Sequence, residues 1–256
     1  MPRSGLLAFE IHGSGRPVVF LHGHTLNRRM WHPLLPLLTP HLQAILVDLP
    51  GHGESGPGPE GSTPAEDLVH LLDALQVERA AICGHSQGGA VAVSFALTAP
   101  DRCAALIPVD AALGGFPFPS WPGPRPYIRQ ARSEGLAPAL EAWMQDSIFG
   151  TIMASPRAEE LKAIVREYPG HEWLNRSHAR RESIPDAQRL GEITAPTLVL
   201  LGEQDLPDFH TIARVLAEGI PGAKQMIIPD AGHMLPMEQP EATSQAILSF
   251  LFGLPA

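Results

Sequence analysis

The chain has 256 residues, 44% apolar and 18% charged, the composition of one large globular domain or of one domain carrying an inserted lobe. Acidic residues outnumber basic ones 27 to 18, a formal charge of -9, which argues against a nucleic-acid partner. No apolar run reaches the ~18 residues that span a bilayer, Met1–Ile11 lacks the pattern of a secretory leader, and two cysteines make neither a disulfide framework nor a zinc quartet. The expectation is a soluble cytoplasmic enzyme with no membrane partner.

In chain order, the first buried strand is predicted at Val18–Leu21 and the next at Ala44–Val47. Thr63-Pro64-Ala65-Glu66 then combines an N-cap, a proline at the first helical position and a capping-box glutamate, and Leu68, Leu71, Leu72 and Leu75 follow at helical spacing. Ala80–Cys83 reads as a third strand, and Gly88–Ala99 as a helix small enough to pack tightly on a sheet. Strands are also predicted at Ala105–Ile107 and Thr197–Leu201, with a weaker one at Lys224–Ile228. Asp208 is read as the N-cap of a helix carrying Ile212, Val215 and Leu216, and Pro240 as the start of a last helix. Continuous apolar strands alternating with helices specify an α/β fold with a mainly parallel sheet covered on both faces.

Between about Gly114 and Ile184 this rhythm stops. The segment opens on closely spaced prolines, a stiff start, and continues as amphipathic, charged, helical sequence. Eight of the 15 aromatic residues fall inside it, among them Phe116, Trp143 and Trp173. It is read as a helical cap over 114–184, inserted into a core made of 1–113 and 185–256. Its Arg176–Glu182 charge cluster is read as a solvated helix face.

Gly84-His85-Ser86-Gln87-Gly88 lies between a predicted strand and a predicted helix, the context of a nucleophile elbow. A serine on so sharp a turn needs glycine two positions to either side. A serine hydroxyl needs a base. Of twelve histidines, His233 lies downstream in a strand-to-helix loop near the C-terminus, as the base should. The base needs a carboxylate to fix its tautomer. Asp205, after the strand that ends at Leu201, is the first choice; Asp110, at the end of another strand, and Asp208 are its competitors. Two backbone N–H donors are expected to hold the oxyanion, that of Gln87 after the serine and that of His24 in the loop after Val18–Leu21. Trp31, Phe116 and Trp143 are the candidate pocket residues. Cys83 and Cys103 are read as buried free thiols. His22 and His24 raise the question of a metal, but no partner carboxylate is evident in the sequence and the chemistry requires neither metal nor cofactor.

His22-Gly23-His24, Asp48-Leu49-Pro50-Gly51-His52-Gly53-Glu54-Ser55, the serine elbow, Gly202-Glu203-Gln204-Asp205 and Gly232-His233 occur in one order. In these pieces the chain resembles the α/β-hydrolase superfamily, in its lid-bearing serine esterase and enol-lactonase-like branch. The resemblance implies an eight-stranded sheet with a cap after the sixth strand. It also implies that Asp48–Ser55 is a structural loop near the site. Ser86 stands where the related dehalogenases and epoxide hydrolases carry aspartate, which argues against those chemistries. The expected activity is cofactor-independent cleavage of a small or medium, partly apolar ester or lactone through an acyl-enzyme, by a monomer or homodimer. An acyltransferase or perhydrolase using the same three residues is the alternative. A non-catalytic ligand-binding protein is a further one, against which the intact Ser86, Asp205 and His233 set counts.

Overall fold

The structure is a computed structural model and describes residues 3–4, 7–175 and 184–254. The Arg176–Glu182 cluster therefore lies outside the described residues. Eight strands form one sheet in the order β1-β2-β4-β3-β5-β6-β7-β8: β1 (Arg3–Ser4), β2 (Leu7–His12), β3 (Pro17–Leu21), β4 (Gln43–Val47), β5 (Ala80–His85), β6 (Cys103–Val109), β7 (Leu198–Gly202) and β8 (Lys224–Ile228). β3 through β8 pair in parallel, while β2 runs antiparallel to both β1 and β4. The six predicted strands are all present. β2 goes unread in the sequence because it is buried for its first three residues and then turns outward, so it matches neither a continuous apolar run nor a clean alternation.

Helices cover the sheet where the local signals placed them. Thr63 and Glu66 form the reciprocal capping box ahead of the helix Pro64–Ala74. The helix Gln87–Thr98 buries Gly88, Gly89, Ala92 and Ala96, which lets it lie close against β5 and β6. The last helix runs from Pro240 to Phe252. Asp208 is a correction. The helix Pro207–Gly219 starts on Leu206, with Pro207 at its first turn, and Asp208 lies two residues past the capping position. Its carboxylate instead accepts the backbone N–H groups of Ser120 (3.0 Å) and Trp121 (2.8 Å), tying the proline-rich segment to the sheet domain.

Among the described residues, the chain between β6 and β7 forms helices and no strand. The helices Arg125–Glu134, Leu136–Trp143, Ala158–Arg166 and His171–Leu174 are the main ones. Their apolar faces bury Leu140, Trp143, Leu161, Ile164, Val165 and Trp173. Cys83 and Cys103 are buried and free, and burial pushes both thiols up. Among the described residues no helix is long and apolar enough to cross a membrane.

Candidate active site

Of the five non-glycine residues at positive φ among the described residues, four sit on loops that converge at the carboxyl ends of the strands: Thr25, Ser86, Asp110 and Asp230. Left-handed backbone of this kind persists only where the surroundings over-determine it, and it concentrates at functional sites. Ser86 has φ 51° and ψ -115°, between β5 and the helix Gln87–Thr98. The turn is tight enough that a Cβ on Gly84 would lie 2.1 Å from the Gly88 carbonyl oxygen. A Cβ on Gly88 would lie 2.4 Å from the Leu21 carbonyl oxygen.

The loop after β8 brings His233 to the serine. His233 Nε2 accepts from Ser86 Oγ at 2.9 Å, and its Nδ1–H donates to Asp205 Oδ2 at 2.9 Å. All three side chains are buried. Asp205, at the end of β7, also accepts the Leu206 N–H at 2.6 Å, which fixes its carboxylate. The Phe209 ring packs on the imidazole at 4.1 Å between centroids. Of the competing carboxylates, Asp110 forms no hydrogen bond with His233. It accepts the N–H groups of Gly202 (2.8 Å) and Leu235 (3.3 Å), joining the end of β6 to β7 and to the histidine loop. Burial and the neighbouring Asp205 charge push the Asp110 carboxyl well above the usual range.

Three residues that sequence reasoning missed brace this arrangement. Glu238 accepts the backbone N–H groups on both sides of His233, from Gly232 at 2.6 Å and Met234 at 3.3 Å, and the Thr151 hydroxyl at 2.9 Å. His85 Nε2–H donates to the His233 carbonyl oxygen at 2.6 Å, and burial lowers its pKa to about 3, so the ring is neutral. Glu172, from the short helix His171–Leu174, lies 3.3 Å from His24 Nδ1 and accepts from Gln87 Nε2 at 3.2 Å. It is the carboxylate beside His24 that the sequence leaves out of view.

The main-chain N–H groups of His24 and Gln87 have no acceptor among the described residues. Gln87 is the first residue of its helix, where the N–H is free by construction. The side chains of the same two residues are bonded: His24 Nδ1–H donates to Gln87 Oε1 at 2.9 Å, and Trp173 Nε1–H donates to His24 Nε2 at 2.7 Å. His24, His52 and Glu172 bring possible ligand atoms within 4.8 Å of one another. An indole only donates, however, so Nε2 of His24 must accept and its proton sits on Nδ1. That proton faces Glu172 and Gln87, so the cluster is a hydrogen-bonded network whose His24 nitrogen offers no lone pair to a cation.

A cavity of about 180 Å³ opens over Ser86. Leu26, Phe118, Trp121, Trp143, Phe149 and Phe209 form most of its apolar wall. Trp143 is part of this wall. Trp31 and Phe116 are corrections. Trp31 is buried beneath the sheet end against Phe20, 5.1 Å between ring centroids, and Phe116 packs against the core outside the cavity. An aromatic residue fills whichever apolar gap is nearest, and its identity alone does not say which. A second cavity of about 290 Å³ lies on the far side of Gln87 and Glu172, between the proline-rich loop 50–64 and the helix His171–Leu174.

An eight-stranded, mainly parallel sheet with a serine on a strained strand-to-helix turn defines the fold class. A family model for the alpha/beta hydrolase family matches residues 18–246, and the chain belongs to that family. It is 31% identical over 259 residues to the pimeloyl-(acyl-carrier protein) methyl ester esterase of Pectobacterium atrosepticum, covering 95% of this chain and 98% of that protein. Among solved structures, it superposes on a thermophilic esterase from Thermogutta terrifontis with a TM-score of 0.82 at 32% identity, covering 96% of this chain and 93% of that one. The enol-lactonase from Burkholderia xenovorans LB400 superposes with a TM-score of 0.80 at 26% identity, covering 96% of both. These relatives are enzymes named for ester or lactone substrates.

Proposed function

We propose that the protein is a serine hydrolase that cleaves a small or medium, uncharged and partly apolar carboxylic ester or lactone. The observation that carries this reading is the unbroken hydrogen-bond path from Ser86 through His233 to Asp205 at the wall of an apolar cavity. Ser86 Oγ attacks the carbonyl carbon as its proton passes to His233 Nε2. The imidazolium that forms is stabilised by Asp205 through Nδ1–H. The oxyanion is held by the N–H groups of His24 and Gln87, each such donor worth about 3 kcal/mol of barrier. His233 then protonates the leaving oxygen, an acyl-Ser86 ester remains, and a water deprotonated by His233 releases the acid. No metal or cofactor takes part.

Residues 114–184 act as a cap over the core formed by 1–113 and 185–256. Among the described residues no Asp, Glu, Lys or Arg lines the cavity over Ser86, which is why an uncharged group is favoured there. At about 180 Å³ the cavity lies below the ~300–1,000 Å³ typical of sites for drug-sized ligands, so short acyl chains fit best.

The test is labelling with a fluorophosphonate probe, followed by a series of p-nitrophenyl esters from two to twelve acyl carbons. Wild type should be labelled, Ser86→Ala should not, and turnover should peak among the short esters. Absence of labelling in folded wild type would overturn the hydrolase reading.

A further inference from the structure

Both proposed oxyanion donors are held through their side chains by neighbouring residues of one short helix. We propose that Glu172 and Trp173 are positioning residues of the oxyanion hole, and that docking of the helix His171–Leu174 completes it. This rests on the hydrolase reading above and adds to it a residue-level account of how the hole is assembled.

His24 and Thr25 are the central residues of a turn closed by the Leu26 N–H on the Gly23 carbonyl (3.2 Å), and Thr25 is forced to φ 60°. Such a turn keeps one conformation only if its surroundings hold it there. The holding groups come from the helical region. Trp173 Nε1–H donates to His24 Nε2 at 2.7 Å. Trp143 Nε1–H donates to Thr25 Oγ1 at 2.8 Å, and that hydroxyl donates to the His24 carbonyl oxygen at 2.6 Å. Glu172 then joins the two sides of the hole, its carboxylate lying 3.3 Å from His24 Nδ1 on the β3 side and accepting from Gln87 Nε2 at the helix N-terminus. The Gln87 amide closes the triangle by accepting from His24 Nδ1–H at 2.9 Å. Two main-chain N–H groups separated by 63 residues are thereby fixed relative to each other by one carboxylate and one indole.

The role of Glu172 is geometric. A carboxylate near a developing oxyanion repels it, so electrostatics alone would make the enzyme faster without this charge. Burial pushes the Glu172 carboxyl up, but the hydrogen bond from His24, with the His24 and His52 rings and the Gln87 amide, outweighs it and holds it at about 2. The clamp is therefore a carboxylate at neutral pH. The closest precedent in general terms is that misplacing a catalytic group by about 1 Å costs on the order of 100-fold in rate.

Three variants test the clamp: Glu172→Ala, Glu172→Gln and Trp173→Phe. Glu172→Ala and Trp173→Phe should each lower kcat on the best short ester about 10- to 100-fold with KM within about threefold, the signature of a loss felt in the transition state. Each should weaken a trifluoromethyl ketone, which forms an oxyanion adduct with the serine, by a similar factor. Binding of the matching non-electrophilic methyl ketone should be unchanged. Glu172→Gln keeps an accepting oxygen of the same reach and should retain most of the activity. A kcat for Glu172→Ala within twofold of wild type overturns the proposal, as does a change confined to KM, or a Glu172→Gln loss as large as that of the alanine variant. Should Glu172→Ala fail to fold, Trp173→Phe, which deletes only the indole donor, decides in the same way. Fluorophosphonate labelling of wild type separates the two levels: if it succeeds while the variants behave like wild type, only the clamp fails, and if it fails, the hydrolase reading fails with it.

Discussion

The sheet and the helical region between β6 and β7 bury apolar surface in different ways. The sheet does so with largely aliphatic strands whose middles carry no chemistry, such as Val18–Leu21 and Ala44–Val47. Its reactive groups all lie at or just past the carboxyl ends: Ser86 after β5, Asp205 after β7 and His233 after β8. The helical region is aromatic: Phe118, Trp121, Trp143 and Phe149 line the cavity, and Trp143 and Trp173 bond the loop that follows β3. The sheet thus fixes where reacting atoms stand through backbone register, whereas the helical region defines the space around them through side-chain volume. This is the general habit of open α/β sheets, which bind ligands beyond the carboxyl ends of their strands.

The sharpest way to break that comparison is at a strand end. Asp205→Asn should leave the fold intact and lower kcat by about 10⁴-fold, since the imidazole loses the acceptor that fixes its tautomer. A loss under tenfold in the p-nitrophenyl ester assay would mean that Asp110 or another carboxylate takes over. Next in size is a pair of truncations. Phe20→Ala in the sheet should cost about 3–5 kcal/mol in urea unfolding without moving the acyl-length optimum. Trp121→Ala in the cavity wall should shift that optimum to longer esters at a smaller cost, because Trp121 is only half-buried. If both variants move the optimum, the division between the two regions is wrong.

A third effect depends on pH. His22, His52 and His85 are buried beneath the site, and burial lowers all three, His52 to about 4 and His85 to about 3. Below about 6.5 the unfolded chain takes up protons at these rings while the folded protein does not. The stability they contribute is full above that pH and is lost as pH falls toward the lower folded values. The expected loss is about 1.4 kcal/mol per pH unit for each histidine. Asp110 and Glu238, both raised chiefly by burial, work in the opposite direction, so the net slope lies below the sum for three. Urea titrations at pH 7 and pH 5 measure it, and equal stability at both would refute this account.

Much of the sheet is legible in the sequence because a buried parallel strand leaves a continuous apolar run. The edge strand β8 reads weakly for the same reason, since four of its five residues are exposed. Ser86, Asp205 and His233 stand out because each follows a strand, and a strand end is visible locally. Glu172 and Trp173 do not stand out. Their partners lie 85 and 149 residues away, and a Glu-Trp pair on a four-residue helix has no local pattern to distinguish it. Trp31 and Phe116 fail as pocket residues for a related reason: the sequence shows that an aromatic is buried, not which of two apolar spaces receives it.

The backbone at Ser86 sets function against robustness. At φ 51° and ψ -115° any side chain is strained, and only glycine is at ease. Ser86→Gly should relieve about 1–2 kcal/mol of that strain. The larger conformational freedom of glycine in the unfolded chain takes back about 0.5–1 kcal/mol. The variant should therefore melt slightly above wild type in a thermal scan while catalysing nothing, and a lower melting temperature would contradict the strain at the turn. On this account the most stable form of the fold is an inert one. Selection for durability alone would therefore act against Ser86, the proposed nucleophile.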